Sequence, residues 1–398
     1  MMKIPFSPPD ITEAEINEVA NAMRSGWITT GPRTKELEKR LKAFCRSAGA
    51  VCLNSATAAL ELNLRVLGIG PGDEVITSAY TYTASASPII HVGAVPVLID
   101  TAADSYEMDY EALEAAITPR TKAVIPVDIA GVVCDYDRIF SIVESKKNFF
   151  SAANDLQAAI GRVAVIADCA HALGAEWHGE MAGSIADFSS FSFHAVKNFT
   201  TAEGGCAAWR HIDGVDDDSL YKKYQLLSLH GQSKDALAKT RLGAWEYDIQ
   251  GCYYKCNMTD IMAAMGLVQL DRYPGLLDRR REIIHRYNAG LQDLPVDALR
   301  HSGDDYLGSG HLYMMRLQDR GIEQRNQFIE SMAGLGVATN VHYKPLPMMT
   351  AYRRLGFDIA DFPHAYAQFA NEVTLPLHTR LTDEEIDYVI EAVHKCLD

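Results

Sequence analysis

The stretch SFHAVKN at 192–198 places one lysine, Lys197, among small and apolar neighbours, after an apolar run and before the glycine pair of TAEGG at 201–205. Lysine ordinarily lays its stem along apolar surface and keeps its ammonium in water. Held away from water it gives up its proton more readily and becomes a neutral amine that attacks carbonyls and forms Schiff bases. In VIADCAHALGA at 165–175, Asp168 closes an apolar run, and His171 follows three residues later. A carboxylate there is costly to bury without a partner. Taken singly, each residue also has a plainer reading: a solvated loop lysine, an aspartate capping the next helix, and a core histidine with its polar atoms satisfied.

NSATAAL at 54–60 runs from a strand straight into a helix. The free N–H groups of such a turn, backed by the helix dipole, form an anion site to which Ser55 and Thr57 add hydroxyls. By itself the segment reads better as a plain helix cap. GIGPGD at 68–73 holds G-x-G-x-G but precedes a strand. A dinucleotide fingerprint needs its glycines after a strand and opening a helix, so this reads as a turn. The combination is more specific than its parts. An anion cradle, a carboxylate at one strand end and a lysine at the next suit pyridoxal phosphate (PLP), which needs a phosphate grip, an acid beside the pyridine nitrogen and an amine for the aldehyde.

These residues need a scaffold that brings strand ends together. Short apolar runs alternate with helical patterns through the first two thirds of the chain: VCL (51–53), EVITS (74–78), VPVLID (95–100), KAVIPVDIAG (122–131), VAVIAD (163–168) and FSSFSF (188–193). Such alternation predicts a mainly parallel sheet flanked by helices, with ligands at the carboxyl ends of its strands. Residues 146–162 interrupt the rhythm and read as a long helical connection or an insertion. From 259 to 291 a long amphipathic helical stretch carries Pro274 as a break or kink. Beyond it come strand candidates at 312–317 and 337–343, a helix around RNQFIESMAGLG, and a last helix at 382–397. The expected division is a large cofactor-binding domain at 1–258 and, at 259–398, a linking helix with a smaller C-terminal α/β domain.

The chain has 398 residues, 48% apolar and 22% charged, and a formal net charge of −15. That balance argues against a nucleic-acid partner, which needs a basic footprint, but not against a small anion in a local pocket. No apolar run approaches the roughly 20 residues that cross a bilayer, and the opening residues lack the basic and apolar regions of a signal peptide. A cytoplasmic protein without a membrane partner is expected. Eight cysteines spread over this length do not suggest a disulfide scaffold. The lone close pair, Cys252 and Cys256, has no second pair to complete a zinc site, so no metal is expected.

Strings along nearly the whole chain resemble the PLP-dependent nucleotide-sugar aminotransferases of the DegT/DnrJ/StrS type, which have the fold type I architecture. They include SGWITTGPRTKELEKRL (25–41), NSATAAL, LGIGPGDEVITSAYTYTASA (67–86), ITPRTKAVIPVDIAG (117–131), DCAHALGA, FSFHAVKN with AEGG, YKCNMTD (254–260) and LPLHTRLTDEEID (375–387). The wording is most similar to the branch that makes UDP-4-amino-4-deoxy-L-arabinose from a UDP-4-keto-pentose. A UDP- or dTDP-4-keto-hexose is the neighbouring possibility.

The resemblance implies that Lys197 forms the Schiff base and shuttles the proton, and that Asp168 pairs with the pyridinium N–H. It implies that Tyr82 lies against the pyridine face and that His171 sits near the phenolic oxygen or the ring. Ala56, Thr57 and Ser192 would hold the phosphate, and Asn257 would reach it from the neighbouring subunit of a homodimer with shared active sites. L-glutamate would donate the amino group to the nucleotide sugar. Residues 27–31 and the loop VHYKPLP (341–347) are candidates for the nucleotide diphosphate, with Lys344 as the loop's charge and a surface lysine its plainer reading. The chain departs from the family pattern at Ala167, where many members carry an acid, and in the length of 146–162. Three other readings compete: a PLP sugar dehydratase, in which histidine replaces the aldimine lysine; a catalytically silent regulatory homologue; and a nicotinamide oxidoreductase. The presence of Lys197, the intact set of Asp168, Ser192 and Thr57, and the misplaced glycine motif argue against them in turn.

Overall fold

The computed structural model describes residues 2–233 and 246–397. Seven strands, β1 (Gly49–Leu53), β2 (Glu74–Ser78), β3 (Val95–Ile99), β4 (Thr121–Ile125), β5 (Ala164–Asp168), β6 (Phe188–Ser192) and β7 (Gly205–Trp209), form one sheet in the order β1-β7-β6-β5-β4-β2-β3. Pairs β2–β3, β2–β4, β4–β5 and β5–β6 are parallel, and β7 runs antiparallel to both β1 and β6. Six strands therefore point one way, and their carboxyl ends share one edge. The strand period of two sends Val124, Val165 and Phe191 into one apolar core, and Ile125, Ile166 and Phe188 into another on the opposite face. Burial on both faces explains why these runs are continuously apolar rather than alternating. β7, sequence GCAAW, has no β-branched residue and gives little strand signal. It is a strand because β1 and β6 pair with it on both sides.

Helix α1 (Ala56–Val66) leaves β1 directly, its start fixed by Ser55, whose Oγ accepts from Ala58 N–H at 3.1 Å. Helix α2 (Asp260–Leu291) runs unbroken through Pro274, contrary to the expected break. Proline removes one backbone hydrogen bond. Packing on both sides holds the axis: Leu270, Tyr273 and Leu277 lie in the main-sheet core, and Ile283, Ile284 and Tyr287 in a separate one. That second core backs a three-stranded antiparallel sheet of β8 (Val296–Ala298), β9 (Tyr313–Leu317) and β10 (Glu372–Leu375), with helices Ile322–Gly334 and Asp383–Leu397 beside it.

Two further expectations change. Residues 146–162 are not one long helix. A 3-10 turn, Lys147–Phe149, precedes a six-residue helix, Asp155–Ile160, capped by Asn154 and ended by Gly161 at φ 70°. Asn154 and Gln157 both donate to the Leu67 carbonyl, tying the segment to the end of α1. Residues 337–343 do not form a strand. Val337 bridges to Ile4 and Asn340 to Thr374, so the segment is pinned to two different partners and builds no continuous ladder.

Candidate active site

The shared strand edge encloses a cavity of about 310 Å³. Ala56 and Thr57 reach it from β1 and α1, Tyr82 from beyond β2, Asp168 and His171 from β5, and Ser192 and Lys197 from β6. Seven of the eight residues singled out in the sequence thus line one space.

Lys197 lies in the turn after β6, its N–H donating to the His194 carbonyl at 2.9 Å. The side chain keeps some access through the cavity mouth. Burial nevertheless pulls its amine down to about 8, against the opposing pull of the Asp168 charge. Roughly one amine in ten is then neutral at pH 7, against a few in ten thousand for an ordinary lysine. Asp168 is the last residue of β5 and 5% exposed. Burial pushes its carboxyl up, while hydrogen bonds and Lys197 act to keep it charged. Ser85 Oγ donates to Oδ2 at 2.6 Å and Ala170 N–H to Oδ1 at 3.2 Å. Ser85 went unnoticed in the sequence; its only signal was the hydroxyl-rich run around TYTAS.

The first N–H groups of a helix have no intrahelical acceptor, and at α1 those of Ala56 and Thr57 belong to the cavity wall. Gly205 makes this turn possible. A Cβ on it would stand 2.3 Å from Ser55 C and 2.4 Å from Ala56 N, so only glycine lets β7 pass behind the turn. Gly205→Ala is expected to lower folding stability by about 1–3 kcal/mol through overpacking. Denaturant unfolding checks this, and an unchanged midpoint would show that the turn yields freely.

His171 is buried, and its Nδ1 accepts from Ala130 N–H at 3.1 Å while Nε2 stands 3.1 Å from Tyr343 Oη. Burial, then the charge of Lys197, hold its pKa well below the ordinary histidine value. Tyr82 is 60% exposed and its ring lies 6.0 Å from that of Tyr343, so aromatic surface borders the cavity mouth. Tyr343 belongs to the 341–347 loop, which the sequence suggested only for its lysine. Lys344 itself is exposed.

Asn257 is the residue the cavity does not gather. Its backbone bridges to Leu53 at the end of β1, but its side chain engages Thr30 and Lys255, and it is absent from the lining. All eight cysteines are free thiols. Among the described residues there is no cluster suited to a metal ion and no helix long and apolar enough to cross a membrane.

A buried amine, a strand-end carboxylate and a helix N-terminus at the edge of a mostly parallel sheet define an α/β enzyme built for carbonyl and amine chemistry. The comparisons make the class specific: residues 9–394 match the DegT/DnrJ/EryC1/StrS aminotransferase family, and the chain belongs to it. A curated relative, the spore coat polysaccharide biosynthesis protein SpsC of Bacillus subtilis, is 38% identical over 394 residues, covering 98% of this chain and 96% of its own. Among solved structures, the putative sugar aminotransferase Spr1654 of Streptococcus pneumoniae in its PMP form superposes with a TM-score of 0.97 at 60% identity, covering 99% and 98% of the two chains. The same protein has also been solved in a PLP form. Helicobacter pylori PseC, an aminotransferase involved in the biosynthesis of pseudoaminic acid, gives a TM-score of 0.85 at 27% identity, covering 100% of this chain and 99% of that one.

Proposed function

We propose that this protein is a PLP-dependent aminotransferase that moves an amino group from L-glutamate to a nucleotide-linked 4-keto sugar. The observation that carries this reading is the meeting of the Lys197 amine, the Asp168 carboxylate and the α1 N-terminus around one cavity. The residues fit the cofactor. The N–H groups of Ala56 and Thr57, unpaired among the described residues, suit a phosphate, with the Thr57 and Ser192 hydroxyls beside them. Asp168, held by two donors, suits a ring nitrogen that must stay protonated.

When bound, pyridoxal phosphate supplies an aldehyde that takes up amines and a ring that accepts the electron pair left by a departing proton. The chain's own groups do the rest. Lys197 Nζ, neutral in a useful fraction at pH 7, would carry the proton from Cα of glutamate to the cofactor's aldehyde carbon and, in the second half-reaction, from that carbon to C4 of the sugar. Asp168 keeps a negative charge opposite the cradle. Tyr82, at the cavity mouth, would lie against the ring of the bound group, and His171 would offer it an uncharged imidazole.

The homodimer with shared active sites is part of the same reading. Asn257 sits beside its own β1 end and is absent from the lining of its own cavity, which is consistent with a role toward a second subunit's phosphate. The division into 1–258 and 259–398 is likewise retained, supported by the separate core under β8–β10. A UDP-4-keto-pentose remains the first substrate to try, and a UDP- or dTDP-4-keto-hexose the second. Residues 27–31 and Lys344 are the groups assigned to the nucleotide diphosphate.

PLP-loaded protein is expected to lose its visible absorbance on addition of L-glutamate and to recover it on addition of the right keto sugar, with the amino sugar as product. A panel of nucleotide keto-sugars checks this by absorbance and mass spectrometry. Loaded protein indifferent to glutamate would sink the reading.

A further inference from the structure

His171 stands where a donor to the cofactor's phenolic oxygen is expected, yet both of its ring nitrogens are already engaged. Ala130 N–H donates to Nδ1 at 3.1 Å. A backbone amide can only donate, so Nδ1 carries a lone pair, the ring is neutral and its single proton resides on Nε2. That proton faces Tyr343 Oη, 3.1 Å away. The ring cannot easily turn to do otherwise. His311 lies against it with centroids 4.3 Å apart, and is itself held by its N–H to the Ala130 carbonyl and by Nδ1 to Asn198 Oδ1 at 2.8 Å. Asn198 is oriented in turn, because its Nδ2 donates to the Ser309 carbonyl.

The consequence falls on Tyr343. Its oxygen accepts from His171, so its own O–H proton must point elsewhere, and among the described residues it meets no other protein partner. Tyr343 lines the cavity together with Asp168 and Lys197. We infer that Tyr343, not His171, is the donor this chain offers to the phenolic oxygen of bound pyridoxal phosphate, and that His171 is a positioning residue acting through it.

This rests on the reading of the cavity as a PLP site. The sheet order supports the choice of acceptor. The phosphate cradle lies toward β1, Asp168 ends β5, and the His171–Tyr343 pair anchors to Ala130 just beyond β4. On the cofactor ring the phenolic oxygen and the phosphate arm flank the aldehyde on opposite sides. A donor on the β4 side therefore faces the oxygen.

The test uses PLP-loaded protein and the pH titration of its bound chromophore. A donor stabilises the phenolate most when the neighbouring nitrogen has lost its proton, so Tyr343→Phe is expected to raise the titration midpoint by about one pH unit, the worth of one hydrogen bond. Asp168, Tyr80, Tyr82, His342 and Glu372, the other titratable groups around Tyr343, are retained in that variant and cannot supply the difference. His171→Ala should shift the midpoint in the same direction, and the double variant no further than Tyr343→Phe alone. A Tyr343→Phe midpoint equal to wild type, or full addition of the two shifts, overturns the assignment. Wild-type protein that takes up no PLP overturns instead the underlying reading of the cavity.

Discussion

Replacing Lys197 with alanine is expected to abolish turnover, by roughly 10³- to 10⁴-fold or more, while leaving the cofactor bound. The size follows from the two jobs that end together: the covalent hold on the aldehyde, and proton transfer, which alone contributes about 10²–10⁴. Retention follows from geometry. The N–H groups of α1, the hydroxyls beside them and Asp168 do not depend on the lysine for their positions, because Asp168 is fixed by Ser85 and Ala170. Folding should also survive. A buried amine pulled down to about 8 is a group that would rather be in water, and removing it relieves that cost. Two measurements check this. Borohydride reduction followed by peptide mapping should attach the cofactor at residue 197 in wild type and nowhere in the variant, and steady-state assays should show the loss. A variant with wild-type turnover would remove the chemical basis of the proposed activity.

Much of this arrangement was legible in the sequence, for identifiable reasons. Strands buried on both faces write themselves as short apolar runs, and β2, β4, β5 and β6 were each visible that way. Lys197, Asp168 and the α1 turn stood out because polar groups at apolar strand ends are expensive and call for a purpose. What escaped was set by tertiary contacts. β7 has small residues and weak strand propensity, yet is sandwiched between two strands. Pro274 suggested a break or kink, and the break is absent because the helix packs on two cores. Residues 337–343 have strand-like composition, but their partners lie on unconnected elements. Ser85 and Tyr343 were missed for a related reason: each acts on a residue far away in sequence, Asp168 and His171 respectively, and nothing local marks such a partner.

Asp168→Asn should separate charge from structure at the same site. The amide is nearly isosteric, and the surroundings can accommodate it. Its oxygen can accept from Ala170 N–H as Oδ1 does now. Its NH₂ would face Ser85 Oγ, which today donates at 2.6 Å. Ser85 also lies 2.7 Å from Thr81 Oγ1, a hydroxyl pair in which either oxygen can be the donor. Reversing that pair lets Ser85 accept from the new amide and donate to Thr81. The fold therefore has no reason to suffer, and because burial already pushes the Asp168 carboxyl up, loss of the charge should leave the unfolding temperature of the cofactor-free protein unchanged or higher. Catalysis has every reason to suffer. A neutral amide cannot hold a proton on the ring nitrogen, and loss of one charged partner in an active site costs about 10²- to 10⁴-fold. The expected signature is a fall of that order in the rate of the glutamate half-reaction, measured in single turnover, with thermal unfolding unimpaired. If the half-reaction keeps its wild-type rate, the carboxylate at the end of β5 does not serve the ring nitrogen; if rate and stability fall together, its role is structural.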